Sequence, residues 1–216
     1  ARETGGGAAA ANGGLNESTL RLLTDAEVGP AIVDVDAFPP HDACELNNPD
    51  AMNGVVCLVN IGHEVTNINI LDDGVPLLTR DIAVGTRRFR EDLQRERGLS
   101  VEEADALLQG YDRSPHLQAI TESRGEEIAV GIERAAAFLA SSSRSASKLK
   151  AAYTCGGGSR VPGLNEALST RLRLPVEQAN PLQRLSVRDG AFDSLVIDDV
   201  APLLMLPIGL ALRQVA

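Results

Sequence analysis

The sequence predicts an α/β fold: an antiparallel three-strand meander, a mostly helical stretch, then strand, helix, strand and a terminal helix. Three observations predict it. Residues 54–61 are a near-continuous apolar run, as in a strand covered on both faces, and residues 65–71 then alternate with period two. Asp73-Gly74 signals a hairpin into a third strand over 76–84. Residues 149–155 form another apolar strand that runs into the triple glycine Gly156-Gly157-Gly158, with a helix opening at Pro162.

The elements follow in order. Residues 1–14 are mostly Gly and Ala and read as a disordered segment. Residues 16–28 carry Leu20, Leu23 and Val28 on one helical face and stop at Gly29-Pro30. Residues 31–35 read as a short strand, and Asp36 as the cap of a second helical piece or turn interrupted by Pro39-Pro40. In the meander, Thr66, Ile68 and Ile70 share one face, and Asn67 and Asn69 the other. A helix over 86–97 places Phe89 and Leu93 at i, i+4, with Gly98 as its stop. Ser100-Val101-Glu102-Glu103 is a capping box for a helix ending at Gly110. A long helix over about 117–142 has Ile120, Ile128, Ile132 and Leu139 as its apolar stripe, and residues 141–145 read as its frayed end. Val176-Glu177 is a short strand, and Asn180-Pro181 breaks the chain. Asp198 or Asp199 caps a last helix of about 200–214. Pro202 suits its first turn, whereas Pro207 should kink it at a cost of ~3 kcal/mol.

Composition excludes several function classes. The 216 residues are 44% hydrophobic but only 3% aromatic, without Trp, so the core is aliphatic and stacking platforms for bases are largely missing. A net charge of −10 and a pI of about 4.8 argue against nucleic-acid binding and against a polybasic membrane anchor. Arg87, Arg88, Arg90, Arg95 and Arg97 crowd one helix, but Glu91, Asp92 and Glu96 balance them, as on a solvated face. Cys44, Cys57 and Cys155 form no CxxC pair, so neither zinc nor a dithiol site is supported, and a reducing, cytosolic setting is expected. No signal peptide or transmembrane run is read; the apolar stretch 200–212 is too short to span a bilayer and contains two prolines.

Chemistry points to the two glycine turns. In the first, at Asn60-Ile61-Gly62-His63-Glu64, a phosphate-binding reading gives Gly62 an amide contact to phosphate. Asn60 then lies near a metal-bound water, and Thr66 supplies a hydroxyl. An ordinary hairpin with a helpful glycine accounts for the same residues. In the second, Gly156, Gly157 and Gly158 let a backbone pass close to a flat ligand such as adenosine, although a strand–helix loop needing positive φ looks the same. His41, His63 and His116 have no partner spacing for metal or catalysis, no GxSxG elbow is present, and no catalytic residue is assigned.

Taken together and in order, these stretches resemble the PilM family of type IV pilus assembly, itself similar to the cell-division protein FtsA. The quotable matches are VDVDAF (33–38), VCLVNIGHEVTNINIL ending at Leu71, LLTRDIAVG (77–85), LSVEEADALLQG (99–110), CGGGSRVPGL (155–164), NPL (180–182) and DVAPLLMLPIGLALR (199–213). The resemblance runs from about Asn16 to Arg213. It implies an actin-like (ribonuclease H-like) fold, a mixed sheet with an antiparallel meander flanked by helices, plus a small helical subdomain. It also implies that this is the second half of that fold. Residues 15–52 would be a remnant of the first actin-like domain, 53–84 and 147–198 the second domain, 85–146 an inserted helical subdomain, and 199–216 a terminal helix returning to the first domain.

By the same resemblance the cofactor is ATP with magnesium, held by Asn60, Gly62, Thr66, Gly156, Gly157 and Gly158. The partner is the cytoplasmic N-terminal peptide of the membrane protein PilN within the inner-membrane pilus subcomplex. That implies a cytoplasmic protein peripheral at the inner membrane, with neither nucleic-acid binding nor membrane insertion of its own. Four departures weaken the nucleotide expectation. Asn60 stands where active relatives carry Asp, Glu64 puts a carboxylate beside the phosphates, Leu108 replaces a lysine aimed at the nucleotide, and Thr86 replaces the second glycine of a pair. They predict a scaffold with a weak or vestigial ATP site rather than an enzyme. The alternatives are an active ATPase or sugar-kinase-like enzyme, which needs a carboxylate that Asn60 is not, and an FtsA-like division protein, for which no C-terminal amphipathic anchor is read. An exposed apolar surface is expected along the terminal helix.

Overall fold

The apolar run 54–61 forms β1, Val55–Ile61, buried at every position except the half-buried Asn60. A computed structural model describes residues 13–29, 38–111, 114–142, 148–192 and 195–213. The strand read over 31–35, the Asp36 cap, residues 1–12 of the Gly/Ala segment and residues 143–147 lie outside the described residues. Helix α1, Gly13–Asp25, begins at the last two residues of that segment, and Val28 beyond its end is exposed rather than on a buried face.

Strands β2 (Thr66–Asp72) and β3 (Val75–Ile82) complete the meander, turning at Asp73 and Gly74, both with positive φ. β4 (Ala151–Cys155) pairs parallel to β1, and β5 (Val176–Gln178) parallel to β4, giving a mixed five-stranded sheet in the order β3-β2-β1-β4-β5.

Period-two alternation divides β1 between two cores. Val55, Cys57, Val59 and Ile61 join Ile68 and Ile70 in the larger one. That core is closed by α3 (Thr86–Arg97), α4 (Val101–Leu108), α5 (Pro115–Ser142) and α6 (Leu164–Leu172). Phe89 and Leu93 of α3 are fully buried, and Gly98 ends the helix in the left-handed region at φ 68°. The Ser100 side chain accepts from the Glu103 amide at 3.1 Å, and Glu103 answers to the Ser100 amide at 2.8 Å. On α5, Ile120, Ile128 and Ile132 are buried and Leu139 packs at the margin. Asp92, only 4% exposed, takes Arg124 of α5 and Arg95 of its own helix, tying the two helices together. The other arginines of α3 that form pairs do so at the surface, Arg87 with Glu91 and Glu64, and Arg90 with Asp105.

On the opposite face, Val56, Leu58, Leu71 and Cys155 meet α2 (Pro39–Asn47) and α8 (Met205–Leu212). Two sequence expectations change here. Pro39-Pro40 do not interrupt α2; they open it, where a missing amide hydrogen costs nothing. Asn69, on the face opposite Ile68 and Ile70 as expected, is buried and accepts from the Thr79 hydroxyl at 3.2 Å. The terminal helix is not continuous. It divides into α7 (Ile197–Val200), a 3₁₀ turn over Ala201–Leu204, and α8, with neither Asp198 nor Asp199 acting as cap. This division places Pro202 and Pro207 each in a first turn, so neither removes a helical hydrogen bond. The helix after the triple glycine likewise starts at Leu164, because a 3₁₀ turn over Gly157–Arg160 intervenes.

Gly209 sets the spacing of α2 and α8: a Cβ there would collide with the carbonyl and Cα of Pro39. Alanine favours helix over glycine by about 1 kcal/mol, yet Gly209→Ala is expected to destabilise by ~1–3 kcal/mol, because overpacking against backbone outweighs propensity. Urea unfolding measures the sign, and a stabilised variant would contradict this packing.

Candidate functional site

Parallel pairing brings the two glycine turns side by side. Asn60, next to last in β1, is opposite Cys155, the last residue of β4, so both turns leave the same end of the sheet. The Asn60 side-chain oxygen lies directly against Gly156. Gly156 has φ 78°, and a Cβ there would also stand 2.7 Å from the Ile61 carbonyl; one on Gly158 would overlap the Ile61 side chain. Two of the three glycines are therefore needed for the turns to pack on each other. Gly157 differs. It is exposed, and its nearest neighbour would be Leu203 at an ordinary 3.7 Å.

The chain's own groups engage many of the atoms read as ligand contacts. The Gly62 amide donates to the Val65 carbonyl at 3.0 Å, closing the first turn. The Gly62 and His63 carbonyls accept from the Thr86 and Arg87 amides, so the first turn seats the N-terminus of α3. Thr66 is fully buried and its hydroxyl donates to the Val84 carbonyl at 2.7 Å. The Gly156 amide donates to the Pro202 carbonyl at 3.0 Å, and Arg160 pairs with Asp199 at 3.7 Å, so the C-terminal segment rests on the second turn. Gln178 of β5 donates to the carbonyl and hydroxyl of Ser159, at 3.0 and 3.1 Å, while the Ser159 hydroxyl donates to the Gly156 carbonyl at 2.8 Å. Gln178, Asp199 and Pro202 escaped sequence reading because each reaches the turn from a distant segment.

The four departures have places as well. Glu64 is exposed and held by Arg87 at 2.8 Å. Thr86 is the first residue of α3, and Leu108 is 7% exposed in the larger core, so no cation stands at either position. Burial pushes the Cys44, Cys57 and Cys155 thiols up to about 12, so they behave as small apolar groups. For a divalent cation, the one three-residue ligand group among the described residues is His41, Asp42 and Glu45 on α2, where Arg213 already pairs with Asp42 at 2.8 Å. The Asn60 amide oxygen beside Gly156 is neutral, so its chemistry suits a hydrogen bond from cation-bound water better than direct ligation.

The turn geometry predicts a contrast between neighbouring glycines. Gly158→Ala should cost ~1–3 kcal/mol through its clash with Ile61, while Gly157→Ala should change stability by less than about 0.5 kcal/mol. Chemical unfolding of both variants measures this, and equal losses would refute the packing.

Comparison with known proteins adds identity to the geometry. The family model described as type IV pilus assembly protein PilM matches residues 8–215. Among solved structures, the chain is similar to a protein of the "PilM-PilN type IV pilus biogenesis complex" (TM-score 0.79, 24% identity, covering 93% of this chain and 58% of that one). It is also similar to the ethanolamine utilization protein EutJ of Carboxydothermus hydrogenoformans (TM-score 0.65, 19% identity, covering 92% and 60%). A third match is MreB 5 of Spiroplasma citri bound to AMPPNP (TM-score 0.62, 12% identity, covering 94% and 65%). These likenesses give the fold, actin-like, and the chain spans less than two thirds of each of these proteins. The chain belongs to the type IV pilus assembly protein PilM family.

Proposed function

We propose that this protein is a scaffold of type IV pilus assembly whose nucleotide cleft is degenerate. It acts in the cytoplasm, peripheral at the inner membrane, where the family docks the N-terminal cytoplasmic peptide of PilN. The complex in which its solved relative was found supports PilN as the partner. Among the described residues no helix is long and apolar enough to cross a membrane, which is consistent with attachment through a partner.

The observation that carries the degenerate-site reading is the prior engagement of the contact atoms. The Gly62 and Gly156 amides and the Thr66 hydroxyl all donate to carbonyls of this chain. Each would have to exchange one hydrogen bond for another, so a ligand gains little net energy there. No lysine stands at Leu108 to balance the phosphates, and Glu64 adds a carboxylate, paired with Arg87. With ATP and magnesium, Asn60 would face cation-bound water and Gly157 would offer exposed backbone to the ligand. The polyphosphate's charge would be only weakly compensated.

The domain division read from the sequence accompanies this proposal. Residues 15–52 are the remnant of the first actin-like domain, 53–84 and 147–198 the second, 85–146 its inserted helical subdomain, and 199–216 a terminal helix returning to the first domain. The exposed Leu195, Val196, Ile197 and Leu203 beside α8 support an apolar contact there.

Isothermal titration with ATP and magnesium is the direct test. The expected dissociation constant is ~1 mM or weaker, near 4 kcal/mol of binding energy. A micromolar constant would overturn the degenerate site, and steady-state ATP turnover abolished by Gly157→Val would establish an enzyme instead.

A further inference from the structure

A line of side chains crosses three strands on the sheet face that carries Val56 and Leu58. Asn60 of β1 is the register partner of Asn67 on β2, and Asn67 that of Asp81 on β3. Asn60 Nδ2 donates to Asn67 Oδ1 at 3.2 Å, and Asn67 Nδ2 donates to Asp81 Oδ1 at 2.8 Å. The far end of the line is Asn60 Oδ1, which lies against Gly156.

The direction of this line has a physical cause. An amide has a donor end and an acceptor end and can present either one, whereas a carboxylate oxygen only accepts. Asp81 therefore forces the Asn67 NH₂ group toward itself. The Asn67 oxygen then faces β1, which forces the Asn60 NH₂ group toward Asn67. What remains for the glycine turn is the Asn60 oxygen. Turned the other way, the same amide would aim an NH₂ group at the turn. It would then repel the hydrogens of cation-bound water and favour a bare anion.

We propose that Asp81 is a positioning residue that, through Asn67, holds Asn60 as a hydrogen-bond acceptor at the junction of the glycine turns, facing the water shell of the divalent cation that accompanies a polyphosphate. The ligand named here rests on the nucleotide-cleft reading; the direction of the ladder does not. An acceptor fixed in this way keeps the hydrogen-bonding half of what a carboxylate at position 60 would supply, and lacks the charge.

Asp81 is exposed on the edge strand, so its substitution leaves both cores intact. In ¹⁵N-labelled protein, Asp81→Lys replaces the terminal acceptor with a donor and should reverse the whole line. The Asn60 NH₂ group would then face the turn and exchange with water about five-fold faster, the net worth of one hydrogen bond, while the Asn67 NH₂ group stays protected by donating to Asn60. A residue that merely stabilised the strand would loosen both amides or neither. Asp81→Asn, which still offers an oxygen, should retain the wild-type pattern. Unchanged Asn60 exchange in Asp81→Lys overturns the proposal, as does equal loosening of both amides. A second arm reads the ligand, using ATP with and without magnesium. The affinity gained on adding magnesium should fall about five-fold in Asp81→Lys and persist in Asp81→Asn. An unchanged gain overturns the positioning role. The absence of any ATP-induced shift in the wild-type spectrum overturns the nucleotide-cleft reading, with the ladder's direction decided by the exchange data.

Discussion

The close approach of Ile61 to the Gly156–Gly158 turn is the constraint on which the arrangement of the site depends. Ile61 ends β1, and its carbonyl and side chain fill the space that side chains at 156 and 158 would need. Any bulk there would push the second turn away from β1 and disturb the parallel pairing of Asn60 with Cys155. The glycines that look like ligand contacts are thus first a requirement of the sheet. Gly157, with nothing closer than Leu203, is the one whose openness the packing does not explain.

Around that junction, hydrogen bonds from distant segments fix the turns in place. Thr86 and Arg87 seat α3 on the first turn, while Gln178 and Pro202 hold the second. The Thr86, Arg87 and Gly156 bonds use backbone amides that an open anion site would leave free for its ligand, whereas the Gln178 bonds hold the Ser159 carbonyl and hydroxyl. The second turn is held by its own chain, through Pro202 and Gln178. The same arrangement links the second turn to α7 through Arg160 and Asp199, while Gly209 packs α8 against Pro39 of α2.

Local signals made much of this legible in the sequence. Helix α3 falls at the expected residues because Phe89 and Leu93 mark its buried face and Gly98 its end, all within one segment. The capping box at Ser100 is likewise local, as is the Asp73-Gly74 turn. The parallel pairing of β1 and β4 was not readable from either strand, and with it went the reason for Gly156 and Gly158. Pro207 suggested a kink, but breaking the helix at Ala201–Leu204 removes the conflict more cheaply than bending it. Asn69 followed the polar side of the alternation, yet it is 2% exposed, because a polar side chain with a cross-strand partner tolerates burial. For the residues read as ligand contacts, strand and turn positions were legible, whereas the bonds that occupy the Gly62 amide and the Thr66 hydroxyl were not.

The pairing of α2 with α8 also bears on how the chain folds as it is made. Synthesis delivers α2 well before α8, and the Asn47 oxygen that receives the Arg184 amide waits across a separation of 137 residues. Until Met205 and Gly209 emerge, Ala43, Cys44, Val56 and Leu58 lack part of their cover. The larger core, whose meander and first three helices are contiguous in the chain, can begin to assemble during that interval. This face must wait, and exposed apolar surface on a nascent chain invites wrong association. The order of the segments along the chain thus leaves this side of the sheet as the last to be covered.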